Sequence, residues 1–398
     1  DGSMLDLHAD RSASAAAIAD FAGAKAAGQY QRFAERAARL FDAFHGPMME
    51  TAKPSVLQLT RRVITQPGLL GAMAPLATMA QDLQRSFDDP RLRQLFGRYA
   101  TYVGGSPYAA PALLSLISHS EALGVWSVKG GMHALAQGLE TLGTSLGVTY
   151  RYGQPVQRFD VTKGRVTTAH TPDGRVTGDA FVFNGDPVAL HQGLVGDAVT
   201  HAVAPDATEP RSLSAWVYGF DATPKGADLT HHNVFFGADP EDEFAPLAQG
   251  QMPTDPTLYI CAQDRGAGAM PTGPERFEII MNGAPTHQTR PSPEDETQCQ
   301  TRVFGTLAQF GLTFSPEPGA KALTTPAGFN ALFPGSRGSL YGRSPHGMTA
   351  ALKRPTARTK IKGLYLVGGG AHPGAGVPMA ALSALHVAGA IGKDLSLT

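Results

Sequence analysis

The chain has 398 residues, of which 42% are hydrophobic and 17% are charged, and its 33 lysines and arginines nearly balance 34 acidic residues. This length provides for roughly two to three domains with buried cores, and the lack of a basic block argues against nucleic acid as a partner. Cys261 and Cys299 occur without any cluster of metal-ligand spacing. A reducing, cytoplasmic compartment without disulfides or a structural metal is therefore expected.

The first residues, DGSMLDLHAD, contain no signal peptide. Asp1-Gly2 is typical of a hairpin turn, and residues 4–7 are typical of a strand whose partner lies upstream. The sequence therefore predicts a chain that is truncated at its N-terminus.

Helical patterns dominate the region up to about residue 122. Apolar residues at three- and four-residue spacing predict a helix that ends at Gly46-Pro47, and shorter helices follow between prolines. The uncharged residues 67–80 are fewer than the ~20 that a membrane-spanning helix needs. They are interpreted either as a buried core helix or, beside Arg61 and Arg62, as an element lying on an anionic membrane surface.

Strand patterns follow this helical region. Residues 123–186 combine Gly130-Gly131, an amphipathic helix and strands separated by hairpin turn signals. Residues 187–345 contain four alternating, aromatic segments that predict an antiparallel sheet, with a helix near residues 294–311. The aromatic residues suit either a substrate-lining sheet or an ordinary core: Trp216, Tyr218, Phe220, Phe235, Phe236 and Tyr259.

A glycine-rich run lies near the end of the chain. The strand Leu364–Val367 leads into glycines and then into a helix from about Pro378, which brings free backbone N–H groups and the positive end of a helix dipole together. This arrangement predicts a site for an anion or a polar ring edge. The alternative is a glycine-rich turn between a strand and a packed helix. A standard dinucleotide fingerprint would require an acidic residue about 20 residues later, where the sequence has already ended.

These residues, LYLVGGGAHPGAGVPMAALS, resemble the C-terminal flavin signature of the carotenoid (phytoene) desaturase family within the amine-oxidase-like flavoproteins. The segments VGGSPY, GVWSVKGGM, VFNGDP and LTHHNVFF occur upstream in the family's order, so the resemblance covers essentially the whole chain. The sequence segments SPHGM and HPGAGVPMAALS are most similar to those of the hydroxyneurosporene (methoxyneurosporene) desaturases, which introduce a 3,4 double bond into 1-hydroxycarotenoids. Phytoene desaturases are the alternative.

The resemblance implies an α/β fold of mixed α+β character, with a truncated Rossmann-like FAD-binding domain, an antiparallel-sheet substrate domain and a helical cap. It implies a helical cap at 1–122, FAD-binding segments at 123–186 and 346–398, and a substrate domain at 187–345. It also implies FAD, a carotenoid substrate and peripheral association with a membrane surface. The implied cofactor-binding residues are Gly368, Gly369, Gly370, His372, Pro373, Gly374, Gly376, Val377, Val156, Gly130 and Gly131. The alternatives are an ordinary core valine for Val156 and a helix cap for Gly130 and Gly131.

One departure from the family concerns its N-terminal strand-GxGxxG-helix unit, which this sequence lacks, so weak FAD binding is expected. Desaturation by hydride transfer to flavin does not demand a strong acid–base residue, and the catalytic candidates are correspondingly weak. His231 and His232 are predicted to occupy adjacent strand positions, on opposite faces, and so not to share a metal ion. Asp186, Arg343 and His346 are candidates of the same kind.

Two other functions remain open from the sequence. One is an amine-oxidase-like flavoenzyme that acts on a polar substrate. Such a substrate would need more charged residues lining the sheet than the sequence provides. The other is a non-catalytic carotenoid- or lipid-binding remnant without the cofactor half.

Overall fold

Helices fill the N-terminal part of the computed structural model, which describes residues 2–266 and 270–396. Asp10, Ser55 and Thr78 begin three of these helices, because each side chain accepts a hydrogen bond from a backbone N–H of the first turn. The helices are α1 (Arg11–Ala22), α2 (Ala24–Phe44), α3 (Val56–Thr65), α4 (Pro67–Met73), α5 (Met79–Ser86), α6 (Pro90–Gly97) and α7 (Leu116–Ala122).

Aromatic side chains form the centre of this helical region. Phe33 of α2 lies between Phe87 and Phe96, with ring centroids 5.3 Å and 4.9 Å away. Leu5 and Leu7 pack against the same core from an irregular segment, so the strand predicted at residues 4–7 is wrong. Apolar burial against helices replaces the strand pairing that the alternating pattern suggested.

The structure bears differently on two predicted N-terminal features. Asp1, half of the predicted hairpin turn, lies outside the described residues. The α-helix α2 ends at Phe44, and the chain continues as a π-helical turn, His45–Glu50, through the predicted stop at Gly46-Pro47. The wider turn accommodates Pro47, which cannot supply the backbone N–H of a regular helix.

The next part of the chain contains α8 (Met132–Ser145), β1 (Arg158–Thr162), β2 (Arg165–Thr171), β3 (Gly174–Thr177), β4 (Phe181–Phe183) and α9 (Pro187–His191). Strands β1, β2 and β3 form the predicted antiparallel meander. Helix α8 has no buried residue, and its Leu139, Leu142 and the following Leu146 are exposed. The amphipathic face that the sequence indicates therefore remains open to solvent.

An antiparallel sheet follows, and it confirms the sheet predicted for residues 187–345. Its elements, with the helices between them, are β5 (Ser214–Lys225), β6 (His232–Phe235), α10 (Pro240–Ala248), β7 (Leu258–Ala262), β8 (Glu275–Gly283), α11 (Pro293–Gln309), β9 (Thr313–Ser315), β10 (Leu323–Thr324) and α12 (Pro326–Leu332). The strand order is β10-β5-β8-β7-β6, and β9 pairs with the last residues of β5.

The two faces of this sheet have different surroundings. On one face Trp216, Phe277 and Ile279 form a core with Cys299 and Val303 of α11. Side chains of paired residues in antiparallel strands lie on the same side of the sheet. The alternate positions therefore form a second face, which comprises Val217, Gly219, His232, Val234, Tyr259, Cys261, Glu278 and Ile280.

Most of the predicted substrate-lining aromatics belong to the core face. Trp216 and Tyr218 are buried in the core beside α11, and Phe220 and Phe235 pack against it. The ordinary-core alternative is therefore correct for these four residues. Tyr259 is on the second face.

A short α/β unit closes the described chain. It consists of β11 (Leu364–Leu366) and α13 (Val377–Asp394), and β11 pairs in parallel with β4. Helix α13 is anchored at its end by Asp394, which accepts hydrogen bonds from Arg358 and from the Tyr365 hydroxyl, the latter at 2.9 Å. Leu385 is 68% exposed, so α13 is buried on one side only and not all round as its composition suggests.

Among the described residues, we find no helix whose length and apolarity would let it cross a membrane.

Candidate functional site

The candidate site is the glycine turn, which we define as residues 368–376 between β11 and α13. Because β4 and β11 are parallel, the turn and the start of α9 lie at the same edge, beyond the carboxyl ends of both strands. Ligands of α/β folds bind at this kind of edge. The pairing of Leu364 with Phe181 and of Leu366 with Phe183 fixes the position of the turn.

Two glycines of the turn are required by contacts within the protein. A Cβ at Gly368 would lie 2.4 Å from Asn184 Oδ1, and one at Gly370 would lie 2.5 Å from Pro187 Cδ. Gly368 also donates its N–H to Ser383 Oγ of α13 at 2.8 Å. These glycines therefore allow the turn to pack closely against the residues between β4 and α9.

The last part of the turn presents backbone donors to open space. Gly376 has a φ of 104°, a left-handed conformation that favours glycine, and it precedes α13 without any side-chain cap. No acceptor among the described residues pairs with the N–H groups of Gly376, Val377 or Met379. Gly376, Val377 and Pro378 are exposed. Free donors at the positive end of an 18-residue helix can bind an anion or the polar edge of a ring.

A buried arginine supports the turn from behind. Arg354 donates to the carbonyl oxygen of Gly369 at 3.0 Å and to those of Tyr341 and Arg343 at 2.7 Å and 2.8 Å. Burial, with the nearby charges of Arg211 and Arg343, lowers the pKa of Arg354. The sequence analysis did not single out Arg354, because it is one of five basic residues between Lys353 and Lys362 and nothing local distinguishes it from the others.

His372 in the turn and His386 in α13 connect this part of the chain to the helical region. His372 donates from Nε2 to the carbonyl oxygen of Thr51 at 2.9 Å, and His386 of α13 donates to that of Glu50 at 3.2 Å. The two imidazoles stack with centroids 5.6 Å apart. Burial lowers the pKa of His372, and Pro373 beside it is also buried. The His372 side chain is therefore engaged within the protein and faces away from the free donors.

The other predicted cofactor residues lie in the segment around α8. Gly130 and Gly131 have φ values of 87° and 83°, and Gly131 directly precedes α8. A Cβ at Gly131 would be nearest to Gln263, which directly follows β7, and to Arg276 of β8. Val156 lies in an irregular segment before β1 and is 37% exposed. Their assignment to the cofactor stays a prediction.

The paired histidines have a different geometry from the one expected. Strand β6 begins at His232, so His231 is outside it and the two rings lie on the same side, with centroids 4.3 Å apart. Their nitrogens and Cys261 Sγ all lie within 4.8 Å of one another. The prediction that they cannot share a metal ion is therefore wrong on geometry. His231 Nδ1 bonds the carbonyl oxygen of Ala262 at 2.9 Å, and His232 Nδ1 bonds the Tyr259 hydroxyl at 2.8 Å.

The remaining candidates have structural contacts. His346 Nε2 accepts a hydrogen bond from the Ser106 N–H at 2.9 Å. Asp186 begins α9 as its N-cap residue and forms a buried ion pair with Arg211. Arg343 is buried, donates to backbone carbonyls, and has its pKa lowered by desolvation. None of these three candidates lies among the free donors of the glycine turn.

Two polar side chains near the second face were missed by the sequence analysis. Glu278 occupies the second face of β8, opposite Cys261 and Gly219 of the neighbouring strands. Tyr341 lies close enough for the Glu278 charge to raise the pKa of its hydroxyl, after the larger effect of burial. A carboxylate in the middle of the apolar strand segment ERFEIIMNG is the signal that could have identified this position.

Comparison with known proteins gives the family. A family model described as flavin containing amine oxidoreductase matches residues 70–392. The chain belongs to this family. It is 54% identical to the hydroxyneurosporene desaturase of Cereibacter sphaeroides, over 100% of this chain and 80% of the relative. The resemblance inferred from the glycine-rich signature is thus confirmed, together with the oxidoreductase class and the amine-oxidase-like fold.

Two further relatives of this flavin-containing oxidoreductase carry the same name. The hydroxyneurosporene desaturase of Rhodobacter capsulatus is 50% identical, over 99% of this chain and 80% of the relative. The one of Rubrivivax gelatinosus is 40% identical, over 95% of this chain and 73% of the relative.

FAD is the cofactor that membership of the family implies, and the glycine turn fits the flavin end of it. The N–H groups of Gly376, Val377 and Met379 are unpaired donors beside open space, and a Cβ at Gly376 would extend into that space. Such donors suit the carbonyl and nitrogen acceptors of a flavin ring edge. The residues present therefore fit this cofactor.

Proposed function

We propose that this chain is an FAD-dependent desaturase that introduces the 3,4 double bond into a 1-hydroxycarotenoid. The observation that carries the proposal is the row of unpaired N–H groups at the glycine turn, in a flavin family member that is 54% identical to a hydroxyneurosporene desaturase. The half-buried apolar positions Val217, Val234 and Ile280 on the second face add a surface suited to a polyene.

The residues of the glycine turn would hold the flavin ring of FAD in place. When bound, FAD supplies the oxidising ring that takes a hydride from an allylic CH₂ of the substrate. Gly376, Val377 and Met379 orient the polar ring edge through their N–H groups, and the positive end of α13 stabilises negative charge there. Arg354 keeps the turn in position through the Gly369 carbonyl oxygen. Loss of the hydride leaves a positive charge that the conjugated substrate delocalises, and the neighbouring carbon then releases a proton to solvent to form the double bond, so these residues need not supply a strong base.

Product analysis tests this proposal. The purified protein, supplied with FAD, is incubated separately with a 1-hydroxycarotenoid, the same carotenoid without the hydroxyl, and phytoene. We expect the hydroxylated substrate to give a product lighter by H₂ with absorbance shifted to the red, and reactions without FAD to give none. Faster conversion of phytoene would indicate a phytoene-type desaturase instead. Bound flavin with no conversion of any carotenoid would indicate a binding protein.

The helical region is proposed to rest on a membrane surface, from which a carotenoid could enter. Helix α3 has no buried residue, and Val56, Leu57 and Ile64 are 62%, 79% and 71% exposed. Leu70 of α4 and Leu76 after it are also exposed. Arg61 and Arg62 lie on the same helix. Exposed apolar side chains next to basic residues are typical of elements that lie in the interface of an anionic bilayer.

A further inference from the structure

A carboxyl group on the second face has no hydrogen-bonding or ion-pair partner among residues 2–266 and 270–396. Glu278 is half-buried in the middle of β8, and desolvation raises its pKa. No hydrogen bond or ion pair to the Glu278 side chain is formed by the residues that the structure describes. The neighbouring buried glutamates contrast with it, since Glu243 bonds Thr257 and Asn282 and Glu275 pairs with Arg265. An unpaired, partly desolvated carboxyl costs free energy that a hydrogen-bonding ligand can recover.

Open space adjoins this carboxyl. Its cross-strand neighbour on β5 is Gly219, and a Cβ at Gly219 would meet no atom within 4 Å. One position along the second face, Val217 and Ile280 are paired and provide an apolar surface. The second face therefore offers a hydrogen-bonding group at one position and a hydrocarbon surface directly beside it.

Tyr341 connects this carboxyl to the glycine turn. Burial raises the pKa of the Tyr341 hydroxyl, and the charge of Glu278 raises it further. No side-chain hydrogen bond contributes to this shift. The Tyr341 carbonyl oxygen accepts from Arg354, which also bonds Gly369. The next residue, Gly342, packs so closely that a Cβ would lie 3.0 Å from Gly370 Cα. The charge of Glu278 therefore acts on Tyr341, and the residues next to Tyr341 in sequence and in space contact the glycine turn.

We infer that Glu278, with the Tyr341 hydroxyl, binds the hydroxyl group at the end of the hydroxylated carotenoid and sets the preference for that substrate. The inference rests on the proposed function and adds the residues that recognise the substrate. A carboxylate accepts a hydrogen bond from a tertiary alcohol, and a hydrocarbon end group would leave the carboxylate unpaired. The alcohol of a 1-hydroxycarotenoid is only a few bonds from the 3,4 bond. Its binding group must consequently lie close to the flavin site, and the Tyr341–Gly342 segment links the surroundings of Glu278 to the glycine turn.

Two substitutions of Glu278 and one of Tyr341 test this role. In Glu278→Leu we expect kcat/KM for the hydroxylated carotenoid to fall by roughly 30- to 100-fold, because a hydrogen bond to a charged group is lost. For the same carotenoid without the hydroxyl, we expect no loss. Glu278→Gln keeps an acceptor oxygen, so a loss of about 3- to 10-fold is expected, and Tyr341→Phe should act in the same direction. Flavin absorbance of each variant shows that the cofactor site is intact.

Val217→Ala is the matched control on the same face. It removes apolar surface without changing any polar group, and we expect it to lower kcat/KM for both carotenoids by similar factors. If Glu278→Leu leaves the preference for the hydroxylated carotenoid unchanged, or lowers both substrates equally, the inference is wrong. Should Glu278→Leu fail to fold, the preference in Glu278→Gln and Tyr341→Phe decides in the same way.

Binding measurements separate this inference from the proposed function. The Kd of each carotenoid is obtained from the shift of its absorbance on binding, without turnover. If wild type converts neither carotenoid, the proposed desaturase activity fails. A wild-type preference for the hydroxylated carotenoid that Glu278→Leu abolishes would then still support the inference. Equal wild-type Kd values for the two carotenoids would overturn it.

Discussion

At the scale of single residues, His346 shows how a half-buried imidazole can make stability depend on pH. Its Nε2 accepts the Ser106 N–H at 2.9 Å, so the neutral form is the one that fits. Desolvation lowers its pKa below the ordinary value of 6.5. As the pH falls, the unfolded chain therefore binds a proton before the folded chain does, and protonation favours unfolding.

We expect the free energy of unfolding to be independent of His346 above pH 6.5 and to decrease as the pH falls below that value. The decrease ends only when the pH passes the lowered pKa of the folded state. One proton contributes at most about 1.4 kcal/mol per pH unit. Urea unfolding followed between pH 7.5 and 5.5, both ~1 unit from the ordinary histidine pKa, measures this slope.

His346→Gln is the informative variant, because its amide oxygen can still accept the Ser106 N–H but does not titrate. Below pH 6.5, we expect the free energy of unfolding of His346→Gln to decrease less steeply with falling pH than that of wild type. Above pH 6.5, we expect the two proteins to show the same pH dependence. His232 and His372 also have lowered pKa values, so part of the acid dependence should remain. Equal slopes for wild type and His346→Gln would contradict the role given to His346.

At the scale of an element, the glycine turn contains two adjacent glycines with different surroundings. A Cβ at Gly370 would be 2.5 Å from Pro187 Cδ, whereas one at Gly369 would be 3.5 Å from Ala375 Cα, which is ordinary contact. We expect Gly370→Ala to lower the free energy of unfolding by about 1–3 kcal/mol, because a rigid ring must move. Loss of bound flavin should accompany it, since the turn would shift. Denaturant unfolding and the flavin-to-protein absorbance ratio measure both effects.

Gly369→Ala is the matched control, one residue away and with no such overlap. We expect its free energy of unfolding to stay within ~0.5 kcal/mol of wild type. If Gly369→Ala and Gly370→Ala destabilise equally, close contact with Pro187 is not the reason for the glycine at 370.

The elements of the large sheet and of the glycine turn could be predicted from the sequence, because alternation, turn residues and glycines are local signals. The orientation of the sheet could not, since alternation is the same whichever face α11 covers. The sequence for this reason left open whether Trp216 lines the substrate side or the core, and the structure places it in the core. The start of β6 at His232, one residue later than predicted, likewise changed the geometry of His231. Contacts distant in sequence, such as Arg354 with Gly369, leave no local pattern.

At the scale of the whole molecule, side-chain hydrogen bonds join the glycine turn and α13 to the helical region. His372 and His386 donate hydrogen bonds to the carbonyl oxygens of Thr51 and Glu50, which lie a few residues before α3 and its exposed apolar side chains. The proposed membrane-facing helix is therefore close in sequence to a backbone segment that is bonded to the glycine turn and α13. A substrate that dissolves in a bilayer would have a short path to the site.

Vesicle flotation tests the membrane proposal. We expect the protein to float with vesicles of phosphatidylcholine containing phosphatidylglycerol, and to bind less at high salt because Arg61 and Arg62 are then screened. The double variant Leu57→Glu/Ile64→Glu removes two exposed apolar side chains from α3. Each contributes roughly 1.5–3 kcal/mol when buried, so binding should weaken by more than ~10-fold.

Leu332→Glu provides the matched control, because Leu332 is 66% exposed but belongs to α12. If Leu332→Glu weakens vesicle binding as much as a single α3 substitution does, exposed apolar residues contribute wherever they lie. The proposed orientation on the membrane would then be wrong. Retained binding in Leu332→Glu, with loss in the α3 variant, would place the α3 surface on the bilayer. Carotenoid turnover in vesicles should fall in the α3 variant, while turnover of detergent-dissolved substrate should not, because the substitutions lie outside the glycine turn and the second face.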